Sequence, residues 1–354
     1  MVSILVTGGA GFIGSNFILE RLQLSKELII NLDKLTYAGN LANLAQIQND
    51  RHYCFIEGSI GDVNLITALC AQYKPRAVIN FAAETHVDRS IANPQIFVQT
   101  NMLDTFNLLE AIRGYWSTLA SEDKALFRLL HVSTDEVYGS LDVSSSPFTE
   151  ESAYKPNSPY AASKAASDHL VRVYHHTYGL PVLTSHASNN YGPHQDTEKL
   201  IPKVIHQCLT GGMIPIYGNG QQIRDWLYVA DHCKALESIL LLGQIGESYN
   251  TGSQTEKTNL EVVNLLCDLL DDLHPRLDGL SYQQQISFVE DRPGHDTRYA
   301  INASKLEREL GWKPEVSFEH GLGLTIKWYL QQYQGNAAVS LTRKPQFVGV
   351  VASV

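Results

Sequence analysis

Residues 3–14 have the sequence SILVTGGAGFIG, and this stretch decides the fold class. Positions 3–7 are largely β-branched or apolar, which indicates a short buried strand, and a helical pattern follows the last glycine. Glycines at positions 8, 11 and 14 have the spacing of a dinucleotide-binding turn. In such a turn they permit a tight bend, the approach of a pyrophosphate and close packing of helix on strand. The helix N-terminus would then offer its free N–H groups to the phosphates.

A second predicted strand, at positions 28–33, ends in Asp33, about 20 residues after the turn. A carboxylate there can accept a hydrogen bond from the adenosine ribose, whereas it would repel a 2′-phosphate. The position therefore favours NAD over NADP as the cofactor. The alternative is that Asp33 caps a turn or a helix.

Strand and helix patterns continue to alternate along the chain, which predicts a Rossmann-like, doubly wound parallel sheet of the α/β class. A change to shorter strands and loops rich in Gly, Pro, Arg and Asn predicts a smaller C-terminal α/β lobe. The predicted division is an NAD-binding domain with the catalytic residues at 1–192, a mainly substrate-binding lobe at 193–334, and a C-terminal tail without an assigned role at 335–354. Later segments can return to the first domain.

Reactive side chains follow the predicted buried strand at positions 127–133, namely Thr134, Asp135 and Glu136. Ligands of open α/β sheets bind beyond the carboxyl ends of the strands, so this position suits chemistry. Tyr160 and Lys164 are four residues apart and would share one helix face. An ammonium group beside a phenol lowers the pKa of the phenol and makes it a better base. The alternative is an ordinary exposed helix face.

Composition limits the function classes. The chain of 354 residues has a formal net charge of −10, which argues against a protein that coats nucleic acid. Its five cysteines are scattered and are expected to be free thiols, and its 13 histidines show no ligand spacing, so no metal site is expected. The chain has no apolar run of membrane-spanning length and no signal-peptide layout at its start, which predicts a cytoplasmic protein.

The motifs resemble those of extended short-chain dehydrogenases/reductases that act on nucleotide sugars, and most closely the dTDP-glucose 4,6-dehydratases. The Asp135-Glu136 pair is the most specific of them, because related epimerases lack carboxylates there and GDP-mannose dehydratases keep the Glu but usually not the Asp. The resemblance covers about Ile4 to Leu330. It rests on the segments 7–16, 33–40, 82–90, 133–139, 160–164, 188–193, 224–226 and 291–296.

The resemblance implies a lyase that removes water across C5 and C6 of a hexose. The C5 proton becomes acidic only when C4 is a ketone, so the implied order is oxidation at C4, elimination, and return of the hydride to C6. Tyr160 would take the 4-hydroxyl proton, Thr134 would hydrogen-bond the same oxygen, and Lys164 would hold the phenolate and the nicotinamide ribose. Glu136 would remove the C5 proton, and Asp135 would protonate the leaving 6-hydroxyl.

The resemblance also implies two sets of contacts. NAD would contact Gly8, Gly11, Phe12, Ile13, Gly14, Asp33, Lys34, Leu35, Thr36, Ser59, Ile60, Phe81, Ala82, Ala83, Thr85, Thr100, Tyr160, Lys164 and Asn190. The nucleotide sugar would contact Thr85, Thr134, Asn189, Lys199, Leu200, Pro215, Ile216, Tyr217, Arg224, Asn259, Arg292 and His295. The chain departs from the family at Ser59, where an Asp is usual, and a hydroxyl accepts from the adenine amino group less strongly than a carboxylate.

Several alternatives remain open on the sequence. A UDP- or CDP-glucose 4,6-dehydratase is the first, a 4-epimerase or decarboxylase the second, and a non-catalytic NAD-binding protein the third. Analogy with the fold family predicts a homodimer paired through the helices at 94–113 and 158–179. Only the resemblance points to a pathway, which would be the synthesis of rhamnose or another deoxysugar.

Overall fold

Seven parallel strands form the central sheet of the computed structural model, which describes residues 2–291 and 294–342, with side chains as far as residue 333. The strands are β1 (Ser3–Thr7), β2 (Leu28–Asp33), β3 (Tyr53–Glu57), β4 (Ala77–Asn80), β5 (Arg128–Thr134), β6 (Val182–Ala187), β7 (Asn189–Tyr191), β8 (Ile214–Tyr217), β9 (Ile223–Tyr228), β10 (Ser248–Thr251), β11 (Glu256–Thr258) and β12 (Ile286–Val289). The α-helices are α1 (Phe12–Leu24), α2 (Val63–Tyr73), α3 (Val87–Ala92), α4 (Pro94–Phe97), α5 (Thr105–Thr118), α6 (Ser121–Leu126), α7 (Pro159–Tyr178), α8 (Leu200–Thr210), α9 (Val229–Leu242), α10 (Asn259–Leu273), α11 (Ser304–Leu310) and α12 (Phe318–Thr342).

The order of strands in the central sheet is β10-β6-β5-β4-β1-β2-β3. The chain therefore runs from β1 outward to β3, and then from β4 outward in the opposite direction. The strand order reverses between β1 and β4, and open α/β sheets bind their ligands at such a point. The predicted doubly wound α/β fold is confirmed.

Helices cover both faces of this sheet. Side chains of α1 and α9, such as Phe17 and Leu236, pack with one face in a common apolar cluster. Side chains of α2, α5 and α7, such as Ile66, Leu108 and Val171, pack with the other face. Burial on both faces explains why the strands read as continuous apolar runs rather than alternating ones.

A second apolar cluster is built by elements that follow β6 in the chain. It lies among α8, α10 and α12 and includes Ile205, Leu266 and Ile326. Two small sheets accompany these helices: a three-stranded sheet of order β11-β9-β7 and a parallel pair of β8 and β12. The strand β10, however, returns to the edge of the central sheet beside β6.

The segment predicted as one helix at 94–113 differs from that expectation. It consists of α4, a π-helical segment at Val98–Asp104, and α5. The π-helical segment buries Thr100, Asn101 and Asp104. Periodicity did not reveal it, because one wide turn shifts the apolar pattern by only a single residue.

The predicted C-terminal tail at 335–354 begins within α12, which ends at Thr342. The first part of the predicted tail at 335–354 is thus helical. The remainder of that tail, and the predicted diphosphate ligand Arg292, lie outside the described residues. All five cysteines are free thiols, as predicted. Of the helices in the described residues, none is both long and apolar enough to cross a membrane.

Candidate active site

A cleft of about 1010 Å³ opens at the point where the strand order reverses. We call it the active-site cleft. The residues after β1, β4, β5 and β6 all contribute to it, as expected for the carboxyl ends of parallel strands. The predicted residues that line it are Gly8, Gly11, Phe12, Ile13, Gly14, Asp33, Lys34, Thr36, Ile60, Phe81, Ala82, Ala83, Thr85, Thr100, Thr134, Asp135, Glu136, Tyr160, Asn189, Asn190 and Lys199.

The glycine turn has the geometry that a dinucleotide requires. Gly8 has a φ of +69°, and a Cβ on it would lie 2.6 Å from the backbone nitrogen of Ala82. A Cβ on Gly14 would lie 2.4 Å from the carbonyl oxygen of Gly8, so α1 packs closely on the turn. The helix begins at Phe12 without a side-chain cap on its first amides. Those amides are therefore available to a pyrophosphate, and the residues present fit a bound dinucleotide.

Asp33 combines the two functions considered from the sequence. The Ala10 amide donates to its Oδ2 at 2.9 Å, and the Leu35 amide donates to its Oδ1 at 2.8 Å. Each carboxylate oxygen can accept a further hydrogen bond, and Asp33 lines the cleft. The residue therefore fixes the turn and can still bind a ribose hydroxyl.

Not every predicted cofactor residue reaches the cleft surface. Leu35, Ser59 and Lys164 are not among the lining residues. The Ser59 hydroxyl accepts a hydrogen bond from the Gly61 amide at 3.1 Å, so it stabilises its own turn. The adenine contact of Ser59 stays a prediction.

Thr134 ends β5, and the short 3₁₀ helix Asp135–Tyr138 follows it. The Thr134 hydroxyl accepts from the Glu136 amide at 3.3 Å and donates to Asp135 Oδ1 at 3.4 Å. Tyr160 lies across the cleft in the first turn of α7, where Ser158 caps the helix and Pro159 occupies the first position. The cap and the proline fix the start of α7, and thereby the position of Tyr160.

The pKa values of Asp135 and Tyr160, which both line the cleft, are shifted from their usual ranges. Burial raises the pKa of Asp135 well above its usual range, and the charges of Glu136 and Asp225 raise it further. A raised pKa favours the protonated form of this carboxyl group. Burial likewise raises the pKa of Tyr160, with Glu136 adding to the effect and a hydrogen bond from Thr134 opposing it.

The prediction that Lys164 lowers the pKa of Tyr160 is wrong for this arrangement. The Lys164 ammonium donates to the Val132 carbonyl oxygen at 2.9 Å and lies 3.3 Å from His131 Nε2. It is thus directed into the sheet, and the pKa of Tyr160 is raised rather than lowered. Burial also lowers the pKa of Lys164 to about 8, which the charge of Asp168 partly offsets.

Sequence reasoning missed a buried polar network behind Lys164. His131 Nε2 lies 3.4 Å from Asp168 Oδ1, and Asp168 Oδ2 accepts from Ser133 at 2.8 Å and contacts His186 Nε2 at 3.1 Å. Asp168 follows Lys164 by four residues, which is the spacing that joins Tyr160 to Lys164. That repeated spacing was the available signal.

The predicted substrate residues fall into two groups. Thr85, Thr134, Asn189 and Lys199 line the cleft, and the Lys199 ammonium donates to the Thr85 carbonyl oxygen at 3.0 Å. The others that the structure describes belong to the elements after β7 and do not line it. They are Leu200, Pro215, Ile216, Tyr217, Arg224, Asn259 and His295.

Within this second group the structure brings some residues together. Arg224 is buried, its guanidinium lies 4.3 Å from the centre of the Tyr299 ring, and it donates to the Asp296 carbonyl oxygen at 3.1 Å. The rings of Tyr217 and His295 are 6.3 Å apart.

The cleft has a further wall that the sequence did not predict. It comes from α12, from the loop before α8 and from one residue of α8, and it comprises Trp328, Tyr329, Gln332, Tyr333, His194, Gln195, Asp196, Thr197 and His206. The ring of His194 lies 4.7 Å from that of Trp328. The closely spaced aromatic residues of α12 were the available signal, but helical periodicity alone assigns them to a core. Within the part of the chain that the structure describes, no cluster of three or more His, Cys, Asp or Glu side chains could hold a metal ion.

Comparison with known proteins shows the family to which the chain belongs. The family model described as GDP-mannose 4,6 dehydratase matches residues 5–325. The dTDP-glucose 4,6-dehydratase of Xanthomonas campestris pv. campestris (strain B100) is 56% identical over 330 residues, which are 93% of each chain.

Solved structures agree with the sequence comparison. The dTDP-glucose 4,6-dehydratase of Bacillus anthracis, solved in complex with NAD, is 43% identical with a TM-score of 0.83, and the match covers 94% of this chain and 98% of that one. The dTDP-glucose 4,6-dehydratase of Streptomyces venezuelae, also with NAD bound, has the same identity and coverage and a TM-score of 0.85. The resemblance predicted from the motifs is thereby confirmed, and the chain belongs to the dTDP-glucose 4,6-dehydratase family of extended short-chain dehydrogenases/reductases.

Proposed function

We propose that this protein is an NAD-dependent lyase that converts dTDP-glucose into dTDP-4-dehydro-6-deoxyglucose and water. The observation that carries the proposal is the Asp135-Glu136 pair at the end of β5, in the same cleft as Tyr160. Relatives named for this activity are 51–56% identical to the chain over 93% of its length. Bound NAD would be held by the glycine turn and Asp33, and it would supply the reversible hydride transfer that oxidises C4 and later reduces C6.

Tyr160 and Thr134 act on the 4-hydroxyl group. Tyr160 removes its proton, and the Thr134 hydroxyl, which lines the same cleft, holds the same oxygen. Lys164 supplies a buried positive charge on the helix face that carries Tyr160. Its ammonium donates to the Val132 carbonyl oxygen, and we assign it to hold the nicotinamide ribose of bound NAD.

Asp135 and Glu136 carry out the elimination. Asp135 is the general acid, a role that its raised pKa supports because a raised pKa favours the protonated form. Glu136 is the general base that removes the C5 proton once C4 is a ketone. Two carboxyl groups in different environments can thus hold opposite roles in one step.

The remaining polar residues bind the nucleotide sugar. We assign the chain to a cofactor lobe at 1–192, to which β10 returns, and a mainly substrate-binding lobe at 193–334. Lys199 and Leu200 with Pro215–Tyr217 form the base pocket, and Arg224, Asn259, Arg292 and His295 hold the diphosphate and its ribose. Guanidinium groups suit phosphate oxygens, which they can bind through two parallel hydrogen bonds.

The partner of this chain is a second copy of itself. Ile96, Val98, Met102, Leu103 and Phe106 are 36–46% exposed, although all are apolar and lie on the helical segment that begins at α4. A neighbouring copy would remove this surface from water. Sedimentation of the NAD-loaded protein tests the dimer, and we place the protein in the cytoplasm, where its five thiols stay reduced.

The test is turnover of dTDP-, UDP-, CDP- and GDP-glucose by the NAD-loaded protein, with the product mass determined for each. We expect dTDP-glucose to give the highest kcat/KM and a product lighter by one water. A product of unchanged mass would indicate epimerisation, and a preference for another nucleotide would overturn the assignment of the base. The absence of any 4-keto product would remove the dehydratase function.

A further inference from the structure

Two buried side chains of opposite charge lie one helical turn apart on α7. Lys164 is 3% exposed and Asp168 is 4% exposed, and a spacing of four residues is one at which opposite charges meet on a helix. The structure nevertheless keeps them apart, because both contact the same ring nitrogen, Nε2 of His131 on β5. The ammonium lies 3.3 Å from this nitrogen and Asp168 Oδ1 lies 3.4 Å from it. The ring of one histidine therefore lies between the two charges.

The hydrogen bonds around His131 determine which of its ring nitrogens carries the proton. The Thr7 hydroxyl donates to Asn80 Oδ1 at 2.6 Å, so Asn80 presents its amide nitrogen to His131 Nδ1 at 3.1 Å. An amide nitrogen only donates, and Nδ1 is therefore the acceptor. Burial lowers the pKa of His131 to about 4, so the ring is neutral at neutral pH. Its single proton is consequently on Nε2.

A protonated Nε2 cannot accept a hydrogen bond from Lys164, whose ammonium group also only donates. The Ser167 hydroxyl donates to the Lys164 carbonyl oxygen at 2.7 Å, and its oxygen lies 3.2 Å from Nε2, where it can accept the ring proton. Among the residues that the structure describes, the ammonium is then left with one acceptor, the Val132 carbonyl oxygen at 2.9 Å. Two of its three N–H bonds are free for a bound cofactor.

Asp168 would compete for these N–H bonds if the ring were absent. Its Oδ2 accepts from the Ser133 hydroxyl at 2.8 Å and contacts His186 Nε2 at 3.1 Å. Its Oδ1 is buried and accepts no hydrogen bond from the part of the chain that the structure describes. A buried carboxylate oxygen in that state attracts an ammonium group strongly, because no water screens the two charges. Lys164 drawn to Oδ1 would turn away from the cofactor.

We propose that His131 is a positioning residue that separates Lys164 from Asp168 and so keeps the ammonium group available to NAD. This inference rests on the proposed function, in which Lys164 holds the nicotinamide ribose. The imidazole fills the space between the two charges, and its Nε2–H turns a positive end towards the ammonium. The ring thus opposes the ion pair by its volume and by its dipole. His131 does not line the cleft, so it acts on the cofactor through Lys164.

The test is a double-mutant cycle of H131A and D168N in the full-length, NAD-loaded protein. In H131A the ammonium should pair with Asp168 and lose its bond to the cofactor. We expect NAD to dissociate about 10-fold faster, as measured by rapid gel filtration, because a hydrogen bond from a charged group is lost. The kcat for dTDP-glucose should fall while its KM changes little, since Lys164 is assigned to the cofactor and not to the sugar.

The second substitution distinguishes positioning from a merely structural role. D168N removes the competing anion, so in the H131A background it should bring NAD retention back to within about threefold of the wild type. In the wild-type background D168N should give no gain, because the ring already separates the charges. S167A is the matched control: it removes another contact of the same ring but leaves the ring in place, and D168N should give no gain there. A purely structural role would instead make the losses of H131A and D168N add.

A crystal structure of H131A gives a direct readout, in which Lys164 Nζ should lie about 3 Å from Asp168 Oδ1. An ammonium that still donates only to the Val132 carbonyl oxygen, or a D168N substitution that does not restore NAD retention in H131A, overturns the proposal. If H131A fails to fold, H131S, which keeps a polar group in the strand, replaces it in the same cycle. Absence of the 4-keto product with wild type would instead refute the proposed function. NAD retention and the distance between Lys164 and Asp168 can be measured without turnover, so the two failures are distinguishable.

Discussion

Replacing Lys164 by methionine should give an inactive protein that is more stable than the wild type at neutral pH. The side chain lies in the interior between α7 and β5, with its ammonium 2.9 Å from the Val132 carbonyl oxygen. Asp168 is the opposite charge that acts on it, and His131 lies between them, 3.3 Å from the ammonium and 3.4 Å from the carboxylate. The attraction is therefore indirect, while the loss of hydration is nearly complete.

The pKa of Lys164 gives the size of the effect. Burial lowers it from 10.5 to about 8, even with the opposing attraction of Asp168 included. At ~1.4 kcal/mol for each unit, the charged form is disfavoured in the folded protein by about 3 kcal/mol. Methionine has a similar length and no charge, but it loses the hydrogen bond to Val132, a loss of about 1 kcal/mol. The expected net gain in the free energy of unfolding is about 2 kcal/mol.

The stability difference between the wild type and K164M should also change with pH, in a direction that the pKa of Lys164 determines. Between about pH 8 and pH 10.5 the unfolded chain keeps a proton on Lys164 that the folded protein has released. The stability of the wild type relative to K164M therefore rises with pH across that window. Urea unfolding of both proteins at a series of pH values measures the difference, and all groups common to the two proteins cancel.

The control is K327M, at an exposed position on α12. We expect no comparable gain in stability, because an exposed ammonium group keeps its hydration in the folded protein. A K164M protein less stable than the wild type at pH 7 would refute the reasoning, because it would mean that the attraction of Asp168 outweighs the desolvation of the ammonium. A stability difference that stays constant up to pH 10.5 would refute it equally.

Three further changes test the site itself. In D135N, C4 oxidation should continue while water loss slows on the order of 10²-fold or more, so reduced nicotinamide should accumulate, as its absorbance would show. In G14A the new Cβ would lie 2.4 Å from the Gly8 carbonyl oxygen, and we expect a loss of stability of about 1–3 kcal/mol with weaker NAD binding by calorimetry. In R224K the contact with the Tyr299 ring, now at 4.3 Å, should be lost, and steady-state kinetics should show a higher KM for dTDP-glucose with a smaller change in kcat.

The parts of the fold that follow from local patterns could be predicted from the sequence. A strand buried on both faces has to be apolar throughout, and a turn that approaches a pyrophosphate has to contain glycine, so β1 and its turn were recognisable. The pairing of Tyr160 with Lys164 follows from helical spacing alone. The catalytic roles of Asp135 and Glu136 were predicted from the resemblance of the motifs to a known family. Two adjacent carboxylates in a sequence do not by themselves show which is the acid and which the base.

The direction of the Lys164 side chain was beyond sequence reasoning. It depends on the carbonyl group of Val132 and on His131, which belong to a strand more than 30 positions earlier in the chain. The raised pKa of Tyr160 has the same origin, because burial is a property of the assembled cleft. The wall formed by α12 was missed because an aromatic residue on a helix looks the same whether it faces a core or a cavity.

The π-helical segment at Val98–Asp104 lies between α4 and α5, and the number of residues in it determines which side chains face the active site. Its wide turn places Asn101 where the side-chain amide donates to Ser163 at 2.9 Å and accepts from the Glu84 amide at 2.8 Å. Just before it, Phe97 packs edge-on against the ring of Tyr160 at 6.4 Å. Deleting a single residue here would restore regular α-helical geometry, but it would rotate the preceding turn by about 100° relative to the following one. Phe97 and Asn101 could then no longer both keep their partners, so this segment should tolerate substitutions far better than insertions or deletions.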